Sequence, residues 1–184
     1  MKMEVKALNL RNRKLTSQAA AIFVKRFGPG SMYNDPWTIE SVVENVFREN
    51  NKKRHGKIFI AMENGQVIGV GGSHAFSEFM REWGREHLPK EHQAAFKPFG
   101  KTYYLDFVAV HPDHENRGIG RKLAEARHEY GKKLGYDSVA LRTIHPAREK
   151  LARSMGYKML FEHSGSGRVA SSTITQRKYF ARRL

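Results

Sequence analysis

Two glycines, Gly118 and Gly120, stand between a strand-like apolar run and a long amphipathic segment. The first backbone N–H groups of a helix have no partner within it, and the helix dipole adds roughly half a positive charge there. Glycine lets an anion approach that backbone closely. Three basic side chains surround the turn: Arg117, Arg121 and Lys122. The pattern predicts a site for a phosphate or pyrophosphate, with an ordinary tight turn and solvated basic residues as the alternative.

Two better-known glycine motifs do not fit this turn. The dinucleotide fingerprint requires a third glycine where Leu123 stands, and the P-loop requires a Gly-Lys-Ser/Thr sequence that is absent. The turn is therefore neither a dinucleotide fingerprint nor a P-loop.

Asp106 is the one carboxylate in the apolar run "YYLDFVAV". Burial raises the pKa of a carboxyl group toward the range that suits a general base, so Asp106 is the candidate base. Side chains two residues apart on a strand share a face, which places Tyr104 beside it as a pocket wall or a second catalytic group. A structural carboxylate paired with a loop or an arginine is the alternative for Asp106.

Other kinds of chemistry are disfavoured. The chain has no cysteine, which excludes a thiol nucleophile and disulfides and fits a reducing compartment. His111 and His114 have a spacing that can bind metal, but no third ligand is evident, so no metal site is predicted. The start of the chain has no apolar signal segment and no apolar run is long enough to span a bilayer, so we expect a cytoplasmic protein and no membrane partner.

The composition predicts one compact domain with an excess of positive charge. The chain has 184 residues, of which 40% are hydrophobic, enough for a single core. Its 33 Lys and Arg residues against 18 Asp and Glu residues give a formal charge of +15. Such a charge favours anionic partners and says nothing about the fold.

Hydrophobic periodicity predicts alternating strands and helices. The turn Asn64-Gly65 joins two strands in the clearest hairpin of the chain, and residues 76–87 form an inserted helix that packs on the core. Strands are predicted at 3–10, 57–63, 66–75, 101–110, 137–143, 157–163 and 168–180, and the other helices at 17–27, 38–50, 119–134 and 146–155.

Two segments resemble the GCN5-related N-acetyltransferase (GNAT) superfamily. "VAVHPDHENRGIGRKL" is similar to its fourth strand and pyrophosphate loop, and "HPAREKLARSMGY" to its later helix and Gly-aromatic pair. The resemblance implies an α/β fold in a single GNAT acetyltransferase domain over residues 1–184. It implies a mixed central sheet of about seven strands flanked by helices, with the inserted helix before strand four.

The resemblance also implies acetyl-CoA as co-substrate. Its pyrophosphate would lie on the backbone of residues 116–121 and its pantetheine arm along the fourth strand, while His145 contacts it or caps the following helix. The family usually has Gln or Arg at Glu115, so this acid is expected to turn outward. The implied cofactor-binding residues are Val108, Ala109, Val110, Asn116, Arg117, Gly118, Ile119, Gly120, Arg121, Lys122 and His145.

In this family an amine attacks the thioester directly, so no covalent enzyme intermediate is needed. The tyrosine that usually serves as general acid is replaced by Ala152. The proton for the leaving group then comes from water or another side chain, or transfer is slow, or the chain is a CoA-binding relative without the reaction. The predicted function is an acetyl-CoA-dependent N-acetyltransferase acting on a primary amine. The alternative is a GNAT-fold module that associates with RNA or ribosomes.

The charge of +15 suggests the kind of acceptor. An amine on an anionic carrier, such as an acidic protein, a ribosomal particle or an aminoacylated RNA, is attracted, whereas a free polyamine is repelled at long range. The basic residues of "QRKYFARRL", Arg182 and Arg183 among them, are expected to help hold the carrier. The oligomeric state stays open, a homodimer being one option.

Overall fold

One mixed sheet of seven strands organises the chain. The computed structural model describes residues 3–29, 36–165 and 175–184. The strands are β1 (Glu4–Ala7), β2 (Lys57–Glu63), β3 (Gln66–Ala75), β4 (Thr102–Val110), β5 (Ser138–Thr143), β6 (Lys158–Gly165) and β7 (Thr175–Arg183). They lie in the order β1-β2-β3-β4-β5-β7-β6, and every pair is antiparallel except β4 and β5. The predicted mixed seven-stranded sheet is confirmed.

Helices cover both faces of the sheet. On one face lie α1 (Arg13–Phe27), then α2 (Ile39–Val42), which continues through π-helical Val43–Arg48 into α3 (Glu49–Lys52). The same face carries the predicted insertion, which consists of α4 (Phe76–Phe79), π-helical Met80–Gly84, α5 (Arg85–His87) and α6 (Lys90–Ala94). The opposite face carries α7 (Ile119–Lys133) and α8 (Pro146–Ser154).

Local sequence signals account for most of the element ends. Asn64 and Gly65 have φ values of 50° and 75°, as the predicted hairpin turn requires. α7 ends before Gly135, whose φ is 72°. The prediction that the last strand ends at Phe180 is wrong, because β7 continues to Arg183. The predicted start of that strand, 168–174, and part of the loop 28–37 lie outside the described residues.

A β-bulge interrupts β4 at Asp106. Gly72 of β3 pairs with Phe107, while the next residue, Ser73, pairs with Leu105, so Asp106 has no partner in the ladder. An extra residue reverses the alternation of faces along a strand. The reversal explains why this stretch shows no simple alternation of apolar and polar residues in the sequence.

The buried arginine of α7 holds the backbone around the bulge. Arg127 is 1% exposed, and its Nη1 donates to the carbonyl oxygens of Gly72 and Phe107 at 3.2 and 3.0 Å. Its Nε donates to the carbonyl of Leu123 at 2.8 Å. Burial lowers the pKa of Arg127 to about 10, so the side chain stays charged at neutral pH.

An arginine of α8 holds the other side of the bulge. Arg148 Nη2 donates to the carbonyl of Leu105 at 2.8 Å, and Nη1 donates to that of Asp106 at 3.3 Å. The carbonyls that the bulge removes from the ladder thus find donors on two helices.

The parallel strands β4 and β5 separate just after the start of their pairing. They pair from Thr102 with Ser138 to Tyr104 with Ala140, although β4 continues to Val110. The sheet therefore opens between the second half of β4 and the end of β5. Whatever binds in this opening meets the free backbone edge of β4.

We predict that Arg127→Met lowers the free energy of unfolding by about 2 to 5 kcal/mol, because it leaves buried carbonyls without donors. Arg81→Met is the control, since Arg81 is exposed and forms surface ion pairs with Glu78 and Glu82. Urea unfolding of both variants measures the effect. An Arg127 variant as stable as the control variant would show that the bulge holds without its arginine.

Candidate active site

A cavity of about 490 Å³ occupies the opening between β4 and β5. Three segments supply most of its wall: β4, the turn before α7, and the junction of β5 with α8. α1 and β7 complete it. The lining residues are Arg26, Phe27, Asp106, Phe107, Val108, Val110, His114, Glu115, Asn116, Gly118, Ile119, Gly120, Arg121, Arg142, Thr143, Ile144, His145, Ala147, Arg148, Leu151 and Arg177.

The glycine turn presents free backbone N–H groups to this cavity. Gly118 precedes α7 in the left-handed conformation, with a φ of 77°, and no side chain caps the helix. A Cβ at Gly120 would meet only Leu151 Cδ2, at 3.4 Å, on its protein side. The turn therefore has the shape and polarity that the sequence predicts for an anion site, and the residues fit a pyrophosphate group.

The basic side chains around the turn behave differently from one another. Arg121 lines the cavity and donates to Ser154 Oγ at 2.8 Å. Arg117 points to Glu63, with Nη2 to Oε1 at 2.7 Å, and this hydrogen bond lowers the pKa of the Glu63 carboxyl. Glu63 thus pairs with Arg117, and the contribution of the Arg117 side chain to the anion site stays a prediction. Lys122 is not among the described residues that line the cavity.

An ion pair crosses the cavity mouth. Glu115 lines the cavity and lies 3.2 Å from Arg26 Nη1, so the expected outward turn of Glu115 is wrong. Arg26 Nη2 lies 2.8 Å from His145 Nε2. Arg26 therefore links the turn before α7 to the start of α8.

His145 caps α8 as expected. Its Nδ1 accepts from the Ala147 N–H at 3.2 Å, and its ring also lines the cavity. Burial, and next the charge of Arg26, lower the pKa of His145. A neutral imidazole has one lone pair, so His145 accepts from Ala147 or from Arg26 at any moment. Its contact with a cofactor stays a prediction.

The bulge turns Asp106 toward the cavity. Its side chain is 32% exposed and its Oδ2 lies 3.6 Å from His74 Nε2, while His74 Nδ1 donates to the carbonyl of Ala75 at 2.9 Å. Burial raises the pKa of Asp106, but contact with His74 and the charges of Lys53 and Arg142 outweigh it and lower the pKa to about 2. The expectation of a raised pKa is wrong. Asp106 is an anion at every physiological pH.

Tyr104 faces the same side as Asp106 but lies behind the cavity wall. It is 1% exposed, and its ring packs 4.6 Å from that of Phe79. Burial raises the pKa of Tyr104, so the hydroxyl stays protonated. No described residue forms a hydrogen bond with it. A catalytic role for Tyr104 stays a prediction.

Sequence reasoning missed several cavity residues. Arg142 is the lone cation of the buried strand "SVALRT", a signal that could have marked it in the same way as Asp106. Arg148 and Arg177 carried no such signal, because charged residues at a helix start or in a closing strand are common.

A second cavity lies beside Ala152, where the resembled family has its tyrosine. It measures about 20 Å³, and Arg127, Arg148 and Tyr157 are among the residues around it. Burial raises the pKa of Tyr157, and its hydroxyl lies 2.6 Å from His128 Nε2. Most of the residues around this cavity are apolar, so it marks space beside Ala152 and does not by itself make a water site.

Among residues 3–29, 36–165 and 175–184, no group of three His, Asp or Glu side chains has the arrangement of a metal site. Within the same ranges, no helix is long and apolar enough to cross a membrane.

The overall fold is similar to that of solved N-acetyltransferases. An N-acetyltransferase from Staphylococcus aureus Mu50 has a TM-score of 0.70 at 16% identity, covering 100% of this chain and 99% of that chain. A polyamine N-acetyltransferase from Drosophila melanogaster has a TM-score of 0.67 at 16% identity over 100% of both chains. A putative acetyltransferase from Salmonella typhimurium, solved with acetyl-CoA, has a TM-score of 0.65 at 16% identity over 99% and 94% of the two chains.

The sequence itself matches the acetyltransferase (GNAT) family over residues 21–157. The chain belongs to this family of acetyl-CoA-dependent enzymes, which confirms the predicted fold, family and co-substrate. No curated protein matches the chain.

The lowered pKa of Asp106 implies that the free energy of unfolding depends on pH. A carboxyl that titrates near 2 when folded and near 3.8 when unfolded stabilises the fold above about pH 4, and this contribution is lost as pH falls toward 2. We therefore expect the difference in unfolding free energy between the parent and Asp106→Asn to shrink between about pH 6 and pH 3. Urea unfolding at the two pH values measures it, with Asp113→Asn as an exposed control. A difference that does not change with pH would mean that Asp106 titrates normally.

Proposed function

We propose that the chain transfers the acetyl group of acetyl-CoA to a primary amine by direct attack of the amine. The observation that carries this proposal is one cavity that joins an uncapped helix start, a free strand edge and an ionised carboxylate. The N–C bond forms as the bond to the CoA sulfur breaks. The whole of residues 1–184 is proposed to act as one domain, and a cytoplasmic location stays a prediction.

The proposed cofactor residues form two groups. The backbone N–H groups of residues 118–121 receive the pyrophosphate, with Arg121 beside them. The β4 edge at residues 108–110 offers the pantetheine arm the hydrogen bonds that β5 does not use. Val108 and Val110 line the cavity, and Ala109 faces the opposite side in the core. Acetyl-CoA supplies the activated acetyl group.

Asp106 is the proposed acceptor of the amine proton. Because its pKa is about 2, it is a weak base toward a free ammonium ion, and the amine has to reach the site neutral or lose its proton on entry. Once the N–C bond forms, the nitrogen becomes positively charged and strongly acidic. The Asp106 carboxylate can then take the proton from this nitrogen and release it to solvent, because its side chain is 32% exposed.

The leaving sulfur requires a proton source other than a tyrosine at residue 152. Water in the main cavity, which Asp106 and Arg148 line, is the proposed source. Water held by such partners replaces the missing hydroxyl at the cost of a less fixed position. We therefore propose that acetyl transfer takes place but is slower than with a tyrosine at residue 152.

The acceptor is proposed to be anionic or carried on an anionic molecule. Of the basic residues in the last strand, Arg177 lines the cavity. Arg182 and Arg183 instead donate to the carbonyls of Met155 and Pro98, at 2.6 and 2.5 Å. Of these three arginines, Arg177 is therefore the one proposed to attract an anionic acceptor to the cavity. The family match is to acetyltransferases and gives no support to the RNA-associated alternative.

We expect Gly120→Leu to abolish CoA binding, because the new side chain extends into the cavity where the pyrophosphate is proposed to lie. Gly120→Ala is the matched control, since its Cβ makes only the ordinary 3.4 Å contact with Leu151. Thermal shift and calorimetric titration with CoA measure the effect. If folded Gly120→Leu binds CoA as tightly as Gly120→Ala, the pyrophosphate lies elsewhere.

Asp106→Asn is expected to lower kcat about a hundredfold, near the lower end of the effect of removing a general base. Because the parent carboxylate is ionised throughout, the factor should be the same at about pH 6 and pH 9, and the rise of rate with pH should follow the amine. Thiol release from acetyl-CoA measures both. Unchanged turnover in the variant would reduce Asp106 to a structural role.

A further inference from the structure

A row of charged side chains on three neighbouring strands lines the cavity. Asp106 of β4, Arg142 of β5 and Arg177 of β7 stand on three neighbouring strands, and all of them line the cavity. Arg142 pairs in register with Tyr179, two residues from Arg177 on the same face. One carboxylate therefore faces two guanidinium groups across the opening of the sheet.

An aromatic side chain holds both guanidinium groups. The Cζ of Arg142 lies 4.7 Å from the centre of the Trp83 ring, and that of Arg177 lies 5.4 Å from it. Arg142 also lies over Phe79, at 5.3 Å. Trp83 belongs to the π-helical turn Met80–Gly84, and such turns occur often at functional sites. The insertion before β4 thus places the two arginines together.

The two arginines have donors without acceptors. Nη1 of Arg142 and Nη1 of Arg177 are buried, and no described residue forms a hydrogen bond with either. The Tyr179 hydroxyl is near enough to Arg142 to act as a hydrogen-bond partner that raises the pKa of its guanidinium. The Tyr104 hydroxyl has no hydrogen-bond partner among the described residues. No described carboxylate forms a salt bridge with Arg142 or Arg177.

Two like charges at this depth destabilise each other. Burial, and next the charge of Arg142, lower the pKa of the Arg177 guanidinium. Aromatic faces offset part of this cost but accept no full hydrogen bond. An oxyanion between the two groups would supply both the missing charge and the missing acceptors, which planar guanidinium groups bind in pairs.

We propose that Arg142 and Arg177, held by Trp83, bind an oxyanion group of the acceptor, so that the acceptor is a small amine that carries its own carboxylate or phosphate. This inference rests on the proposed acetyl transfer and names its substrate class. The amine lies at Asp106 and the oxyanion at the arginine pair.

The strand spacing sets the length of the acceptor. β4 and β5 no longer pair beyond Tyr104 and Ala140, so a group at Asp106 and a group at the arginine pair stand further apart than the roughly 4.8 Å between paired strands. An α-amino acid is too short for this span, whereas β-, γ- and δ-amino acids match it. A polyamine would place a second cation against the arginine pair.

The experiment measures kcat/KM for thiol release from acetyl-CoA with matched amines. The carboxylate series is glycine, β-alanine, γ-aminobutyrate and δ-aminovalerate, each compared with its amide. O-phosphoethanolamine and aminopropylphosphonate form the phosphate arm, and butylamine and spermidine are the neutral-chain and cationic references. We expect γ- or δ-amino acids, or one of the phosphate compounds, to exceed their uncharged counterparts at least about tenfold, the effect of one charged hydrogen bond.

Substitutions of the two arginines test whether they cause the preference for anionic amines. Arg177→Gln and Arg142→Gln should each lower the ratio of kcat/KM for the anionic amine to kcat/KM for butylamine about ten- to a hundredfold. Arg142→Lys keeps the charge but loses the paired donors, so it should recover part of the effect. Arg81→Gln is the matched control, because it removes one exposed charge from the same π-helical turn. Thermal melting checks the fold, and Arg177 carries the test if Arg142 variants unfold.

The outcomes separate the two levels of the proposal. Acetylation of butylamine or spermidine in preference to every anionic amine, or an anionic preference that survives in Arg177→Gln, overturns the acceptor class and leaves the transferase intact. CoA binding without thiol release for any amine overturns the proposed transfer and the acceptor class with it.

Discussion

The interruption of β4 at Asp106 is the constraint on which the site depends. A bulge removes carbonyls from the ladder, and buried carbonyls have to find donors elsewhere. Arg127 of α7 and Arg148 of α8 supply them, on Gly72, Phe107 and Leu105. The two helices that bracket the cavity are thereby tied to the same few residues of the sheet.

The bulge also connects the two functions of the cavity. Beyond it, β4 no longer pairs with β5, so its edge is free for an extended ligand. At the bulge itself, the Asp106 side chain turns away from the ladder and toward His74 and the cavity. An acyl donor laid along β4 and an amine held at Asp106 would meet at one place because one backbone irregularity produces both features. Proximity of this kind accounts for much of what a direct-attack enzyme has to supply.

The fold was largely predictable from the sequence, because alternation, the Asn64-Gly65 turn and the glycine ends of helices are local signals. The site was predictable where a motif marks it, at residues 116–121. The parts of the site that depend on contacts between distant segments of the chain could not be predicted. The pairing of Arg117 with Glu63 joins residues 54 positions apart, and the low pKa of Asp106 depends on His74, Lys53 and Arg142 from other elements. Burial, the one term that the sequence suggested, is outweighed by these long-range charges.

The positive charges of the chain differ in their effect according to whether they lie on the surface or in the cavity. Many of the surface cations are paired within their own helix, as Arg48 is with Glu44 and Arg153 with Glu149, and exposed pairs contribute little. Charge in the cavity differs, because Arg142 and Arg177 act where solvent screening is weak. The row in which Arg142 and Arg177 face Asp106 favours a ligand of the opposite charge pattern. The distribution of charge within the cavity, more than the total of +15, therefore governs which amine the enzyme can hold.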